Sequence, residues 1–153
     1  MRPRDATFVA PLPQALCCKE VSTVSDTEKL SALSAVANGA SVSPIGKAKY
    51  RVGNDTVHVR FCSSSAAASD KYKFNINPNT LSADYELWVC GSATTYYLVP
   101  VSVMRDIYDN PNTYEDRHHP GIKVVSVDAA SHTVTYATGG VHLSLSSYFC
   151  GRL

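Results

Sequence analysis

The stretch YRVGNDTVHVRF, residues 50–61, decides much of the fold. Residues 53–55, Gly-Asn-Asp, are typical of tight turns and stand between YRV and a second apolar run. In that run Val57, Val59 and Phe61 alternate with polar residues, as in a half-buried β-strand. The stretch therefore predicts a β-hairpin.

His58 and Arg60 are the polar residues of the second predicted strand. Because side chains of a strand alternate between two faces, these two share one face, opposite Val57 and Val59. Two interpretations are open: the pair contacts a phosphate at a functional site, or it lies on the solvated side of the hairpin.

The rest of the chain alternates between helix and strand signals. Residues 26–38 have apolar side chains at helical spacing, with Ser25 or Asp26 as a cap and Gly39 as a stop. Ser102 is a candidate cap for a short second helix after Pro100. Further strands are predicted at 71–77, 85–90, 94–100, 122–128, 132–138 and 141–149. The fold class is α+β/α/β mixed: a central mixed β-sheet with a packed N-terminal helix and a second short helix.

Length and composition limit the class of protein. A chain of 153 residues, 44% hydrophobic and 18% charged, predicts one domain over 1–153. No apolar run is long enough for a membrane span, and prolines at 3, 11 and 13 argue against an export signal, so residues 1–18 are expected in the mature chain. Five cysteines without a CxxC pair favour a cytoplasmic or otherwise intracellular location, and we assign them no chemistry.

The charge is local rather than global. The net charge is +1, but residues 47–73 hold six basic residues against Asp55 and Asp70. The lysines occur in pairs spaced i, i+2, which places each pair on one strand face, with aromatic residues between them. Either these are ordinary solvated charges, or they form a surface that contacts a nucleic-acid backbone.

A family resemblance rests on the framework residues. The order of these residues resembles the PD-(D/E)xK nuclease fold. They are Glu28 in the first helix, Gly39 eleven positions later, the strand VHVRF, the segment KFNIN with Asn75, and YELWVCGSATTYYLVPVSV. The pattern is most similar to small group I intron-encoded homing endonucleases. The resemblance covers about residues 20–105 and implies a restriction-endonuclease-like core, with a C-terminal β extension at about 120–150.

The resemblance also implies a metal site, most of which is altered here. In that family a helix Glu and a strand Asp hold Mg²⁺, and a Gln or Glu and a Lys on the next strand complete the site. The equivalent positions are Glu28, Arg51, His58 and Arg60, so three of four have changed. Arg51 places positive charge where a cation that prefers oxygen ligands would bind.

These considerations predict a nucleic-acid-binding protein of homing-endonuclease-like descent whose DNA cleavage is lost or reduced, with DNA or structured RNA as partner, no membrane and a possible homo-oligomer. One alternative is an active Mg²⁺-dependent, site-specific endonuclease with an altered site built from Glu28, Asp55, His58 and Arg60, in which Glu28 and Asp55 are the metal ligands. Another is a non-enzymatic RNA-binding cofactor of splicing or of a ribonucleoprotein. The predicted nucleic-acid contacts are Lys47, Lys49, Arg51, Arg60, Lys71, Lys73 and Asn75.

The segment TYEDRHH gathers Glu115, Asp116, His118 and His119. Adjacent histidines on a loop point apart more often than together, and no second ligand cluster has a familiar zinc spacing. We interpret the segment as a surface loop rather than a metal site.

Overall fold

The computed structural model describes residues 25–63 and 70–153. The interpretation of residues 1–18 and most of the loop predicted at 62–70 lie outside the described residues, as do Cys17 and Cys18.

Two helices, nine strands and two short 3-10 helices make up the described part of the chain. The helices are α1 at 25–37 and α2 at Val101–Asp109, and the 3-10 helices are Pro78–Thr80 and Ser146–Tyr148. The strands are β1 Val42–Gly46, β2 Lys49–Val52, β3 Asp55–Cys62, β4 Lys71–Ile76, β5 Tyr85–Cys90, β6 Tyr96–Pro100, β7 Lys123–Asp128, β8 Thr133–Ala137 and β9 Val141–Ser144.

The strands form two sheets. The first has the order β1-β2-β3-β5-β6 and is mixed, because β3 and β5 run parallel while the other neighbours are antiparallel. The second is antiparallel, in the order β4-β7-β8-β9. The predicted hairpin is confirmed: Gly53 takes a positive φ of 59° between β2 and β3. The α+β class, with two helices and two sheets, is likewise confirmed.

The first sheet is covered on both faces, and each face has its own core. The face turned toward α1, here called the helix face, carries Val57 and Val59, which pack with Leu33 and Val36. The opposite face, here called the inner face, packs against the second sheet and α2. Its central side chain is Trp88, which is fully buried and stacks on Phe74 of β4 at 5.1 Å between ring centroids.

Two details differ from expectation. Helix α2 begins at Val101 with Pro100 as its N-cap and without a side-chain cap, so the prediction of Ser102 as cap is wrong. Pro100 both ends β6 and sets the chain direction into the helix, because its ring fixes φ. The strands form two sheets instead of the one central sheet expected, because strand β4 pairs with β7 and not with the sheet that contains β3.

No helix in the described ranges is long and apolar enough to cross a membrane.

Candidate functional site

The inner face carries a buried carboxylate, Glu86, near the start of strand β5. Glu86 is 1% exposed, and its register partner on the parallel strand β3 is His58. Two residues further along the same strand, Arg60 pairs with Trp88. Since register partners point to the same side of a sheet, β3 and β5 bring Glu86, His58 and Arg60 together on the inner face.

The three side chains are in contact. His58 Nδ1 lies 2.8 Å from Glu86 Oε2, and Arg60 Nε donates to Glu86 Oε1 at 3.1 Å. The first contact is short but is not aligned as a hydrogen bond. His58 Nδ1 and Glu86 Oε2 are therefore both buried without a hydrogen-bond partner. Arg60 also donates from Nη2 to Thr80 Oγ1 at 2.8 Å. We call Glu86, His58 and Arg60 the Glu86 cluster.

The segment between β4 and β5, residues 77–84, lies over this part of the inner face. It starts with the 3-10 helix, whose Thr80 binds Arg60, and continues to Ser82, which accepts a hydrogen bond from Lys49 Nζ at 2.9 Å. Asp84 Oδ2 then accepts from the backbone N–H of Thr56 at 2.9 Å. Beneath this covering segment His58 and Glu86 are buried and Arg60 is partly exposed.

The solvated-hairpin interpretation of His58 is wrong. His58 is only 7% exposed, and the Arg60 side chain is 21% exposed. The predicted alternation of side chains along β3 is correct. Its polar side, however, lies on the inner face, against Glu86 and the covering segment, and not against water. A partly buried guanidinium persists there because a carboxylate and a hydroxyl satisfy it.

The interpretation of Arg60 as a phosphate contact is opposed by its hydrogen bonds within the chain. Arg60 already donates to Glu86 and Thr80, so a phosphate would have to displace an internal carboxylate. Arg51 is on the same face but is exposed, opposite Thr56.

Glu28 lies on the other side of the sheet from the Glu86 cluster. It sits in the first turns of α1, on the helix face, and its Oε2 accepts a hydrogen bond from the backbone N–H of Ala93 at 2.7 Å. Ala93 belongs to the turn between β5 and β6, and packs with the helix-face core. Glu28 therefore fastens a turn to α1 in this structure.

Asp55 does not approach Glu28. Asp55 is the first residue of β3 and pairs with Val52. The β5–β6 turn, which Glu28 binds, lies beyond the other end of β3, where Cys62 pairs with Cys90. The length of β3 separates those ends by about 20 Å. The shared site expected of Glu28, Asp55, His58 and Arg60 is thus not assembled by this fold, and within the described ranges no three His, Cys, Asp or Glu residues gather as metal ligands.

The predicted nucleic-acid contacts fall into two groups. Lys49, Arg51 and Arg60 lie on the inner face, with Lys47 exposed at the nearby β1–β2 turn. The second group is on β4, where Lys71, Lys73 and Asn75 are exposed while the residues between them turn inward. These three side chains occupy the outer face of the second sheet, the face turned away from the first sheet.

The outer face is polar across all four strands. The register sets Lys73 beside Ser126 and Ser126 beside Thr135, and His142 follows beside Thr135. Lys71 Nζ lies 2.6 Å from Asp128 Oδ2. This hydrogen bond lowers the pKa of the Asp128 carboxyl, which therefore remains an anion beside Lys71.

The loop that contains Asp116 and the two adjacent histidines is folded by local hydrogen bonds. Asp116 Oδ1 accepts from the backbone N–H groups of His118 and His119, and these bonds lower the pKa of Asp116. His119 Nδ1 is 3.1 Å from the same oxygen, with the imidazole largely exposed. The loop is at the surface, as expected, and Glu115 turns instead to Lys123.

Glu86 is the site residue that the sequence interpretation missed. It lies in YELWVC, where one charged residue stands inside an otherwise apolar strand. A charge at such a position is buried only with a partner. That rule could have raised the question of what neutralises Glu86, but the parallel pairing with β3 was needed to answer it.

Comparisons with models of known protein families, with curated proteins and with solved structures each found no match to this chain.

Proposed function

We propose that this chain binds nucleic acid through the outer face of the second sheet, and that it has lost most or all cleavage activity relative to the nucleases that its sequence resembles. The observation that carries the proposal is the row of exposed Lys71, Lys73 and Asn75 side chains on strand β4.

The row suits a polyanion for geometric reasons. Side chains two residues apart on a strand are spaced by about 7 Å and point the same way, so the row presents two cations and an amide in a line. Lysines and amides are common donors to phosphate and sugar oxygens, and hydroxyls such as those of Ser126 and Thr135 serve the same purpose. Contacts of this kind position a nucleic acid without reading its sequence.

The two lysines are not equivalent. Lys71 is paired with Asp128 at 2.6 Å, whereas Lys73 has no acidic partner among the described residues. A phosphate approaching Lys71 would meet the Asp128 carboxylate, which repels it. Lys73 and Asn75 are therefore the principal contacts of the proposal, with Lys71 attenuated by its neighbour.

The loss of cleavage is supported by the Glu86 cluster. Of the four positions equivalent to the family's catalytic residues, Glu28 lies apart from the rest. Glu28 binds a backbone N–H on the helix face, whereas Arg51, His58 and Arg60 lie on the inner face, where Arg60 binds Glu86. A guanidinium is not a proton-transfer group, unlike the lysine that the family carries at this position. At the positions where the resemblance implies a metal site, Glu28 and Arg60 thus bind other parts of the chain.

The test is fluorescence anisotropy with labelled duplex DNA, structured RNA and single-stranded DNA at several salt concentrations, with and without EDTA. We expect binding that survives EDTA and weakens with salt. Lys73→Ala should weaken it and reduce the slope of log K against log salt by about 1. Lys71→Ala should have a smaller effect, and Asp128→Asn should strengthen binding by removing a repelling charge.

The matched control is Arg117→Ala, which removes one exposed positive charge from the loop at 110–122. An equal loss for Arg117→Ala and Lys73→Ala would mean that only net charge matters, and would reject the outer face as the binding surface. Absence of binding to all three probes at low salt would reject nucleic-acid binding altogether.

Cleavage is assayed separately on supercoiled and linear DNA with Mg²⁺ and with Mn²⁺. We expect no cutting above background. Robust cutting that Glu28→Ala abolishes, while the variant still folds, would restore the endonuclease alternative. Tighter binding to structured RNA than to duplex DNA would favour the RNA-cofactor alternative.

A further inference from the structure

Cys62 and Cys90 are register partners on the adjacent parallel strands β3 and β5. They are separated by 28 positions in the sequence, so only the strand pairing brings them together. The backbone N–H of Gly91 donates to the carbonyl of Cys62 at 2.9 Å, which fixes this end of the pairing.

The spacing is within the range that a disulfide requires. Neighbouring strands lie about 4.8 Å apart, and disulfides join Cα atoms separated by about 4.4–6.8 Å. Both side chains point to the inner face, because Cys90 belongs to its core and Cys62 packs against that core. The Cys62 Sγ donates to the carbonyl of Ser63 at 3.2 Å, so the Cys62 side chain has to turn toward Cys90 for the bond to form.

The two thiols differ in environment. Cys62 is partly exposed at the end of β3, whereas Cys90 is 1% exposed. Burial, with a smaller contribution from the neighbouring Cys62, raises the pKa of Cys90 to about 12. Cys62 is therefore the thiol that an oxidant reaches first, and Cys90 stays protonated nearby.

We propose that Cys62 and Cys90 form a redox modification site, at which hydrogen peroxide oxidises Cys62 and Cys90 then closes a reversible disulfide between β3 and β5. The proposal is independent of nucleic-acid binding.

The chemistry is balanced. The Cys62 thiolate attacks one peroxide oxygen, the O–O bond breaks, and Cys62 becomes a sulfenic acid as hydroxide leaves and takes up the proton that Cys62 released. The Cys90 sulfur then displaces the hydroxyl group: an S–S bond forms, the S–O bond breaks, and the Cys90 proton leaves with the hydroxyl as water. Two thiols are oxidised, and one peroxide is reduced to two molecules of water.

The experiment uses the full chain with Cys17, Cys18 and Cys150 replaced by Ser, so that only the pair remains. The protein is treated with hydrogen peroxide, its residual thiols are alkylated, and the products are digested with trypsin without reduction. We expect the peptides 61–71 and 74–105 to be joined, and to separate after dithiothreitol. The natural chain should form the same link at the same peroxide concentration.

Two single variants test the order of events. In Cys90→Ala, Cys62 should stop at the sulfenic acid and be trapped by dimedone. In Cys62→Ser, Cys90 should remain a free thiol after the same treatment. Oxidation of Cys62 to the sulfinic acid while Cys90 remains a thiol in the parent protein would overturn the proposal. A link from Cys62 to Cys17, Cys18 or Cys150 in the natural chain, in place of Cys90, would overturn it as well.

Discussion

At the scale of single residues, Glu86 is the side chain on which the polar part of the inner face depends. It contacts His58 and accepts from Arg60, and it is almost fully buried. A buried carboxylate of this kind adds little net stability over an apolar residue, but removing it alone leaves its partners uncompensated. Removal of Glu86 alone should therefore cost far more stability than Glu86 adds over an apolar residue.

We expect Glu86→Ala to lower the free energy of unfolding by about 3–5 kcal/mol, because it leaves the Arg60 guanidinium beneath the covering segment without its carboxylate partner. Urea denaturation followed by circular dichroism measures the change. Glu115→Ala is the control: it breaks the ion pair of an exposed carboxylate with Lys123 and should cost at most about 1 kcal/mol. Similar losses in the two variants would contradict the account of Glu86.

Cys90 makes the stability of the folded chain depend on pH in the alkaline range. Its ordinary pKa of 9.0 rises to about 12 in the folded chain, so between these values the folded state keeps a proton that the unfolded state releases. Stability is fully present below pH 9 and falls as the pH rises, with a slope of up to about 1.4 kcal/mol per pH unit from this one group. The raised pKa values of Tyr72, Tyr96 and Tyr97, which are caused mainly by burial, act in the same direction.

Cys90→Ala should therefore unfold with a shallower dependence on pH between 9 and 12 than the parent protein, both measured under reducing conditions by urea denaturation. Cys150→Ser changes an exposed thiol and should leave the slope as it is. An unchanged slope in Cys90→Ala would show that the Cys90 proton is not held by the fold.

At the scale of secondary-structure elements, α1 is attached to the first sheet by apolar packing and by one hydrogen bond. Its apolar side packs on the helix face, and Glu28 binds the β5–β6 turn through the Ala93 N–H. A charge-assisted hydrogen bond at a partly buried turn contributes more than an exposed ion pair does. Glu28 thus fixes the position of α1 over the sheet.

We expect Glu28→Ala to lower the free energy of unfolding by about 1.5–3 kcal/mol, since the Ala93 N–H loses its acceptor. Asp26→Ala is the control in the same helix turn: it removes an exposed carboxylate paired with Lys29 and should change stability by less than about 1 kcal/mol. Thermal denaturation of both variants gives the comparison. A larger loss for Asp26→Ala would contradict the anchoring role of Glu28.

At the scale of the whole molecule, the first sheet belongs to two cores. One is shared with α1 and the other with the second sheet and α2. The two sheets are joined by the stack of Trp88 on Phe74 and by the 2.8 Å contact between Tyr97 Oη and His132 Nδ1. The second sheet packs on one face of the first sheet, and α1 packs on its other face. Loss of either core would therefore expose the other.

We therefore expect the described part of the chain to unfold in one cooperative transition. Trp88 is the only tryptophan in the sequence, so its fluorescence reports the packing between the sheets, while far-ultraviolet circular dichroism reports the helices and strands. The two unfolding curves should coincide in urea. A fluorescence transition that precedes the circular dichroism transition would show that the sheets separate before the first sheet unfolds.

The sequence by itself determined the local elements. Apolar periodicity located α1 and every described strand except β1, and the Gly-Asn-Asp turn located the hairpin, because these signals depend on neighbouring residues alone. It also determined that His58 and Arg60 share a strand face. Only the tertiary structure decided what that face meets: the parallel pairing of β3 with β5 brings in Glu86 and sets Cys62 beside Cys90, and the pairing of β4 with β7 carries Lys73 to another sheet. Pairings between strands distant in sequence depend on the packing of the whole chain, and no local spacing encodes them.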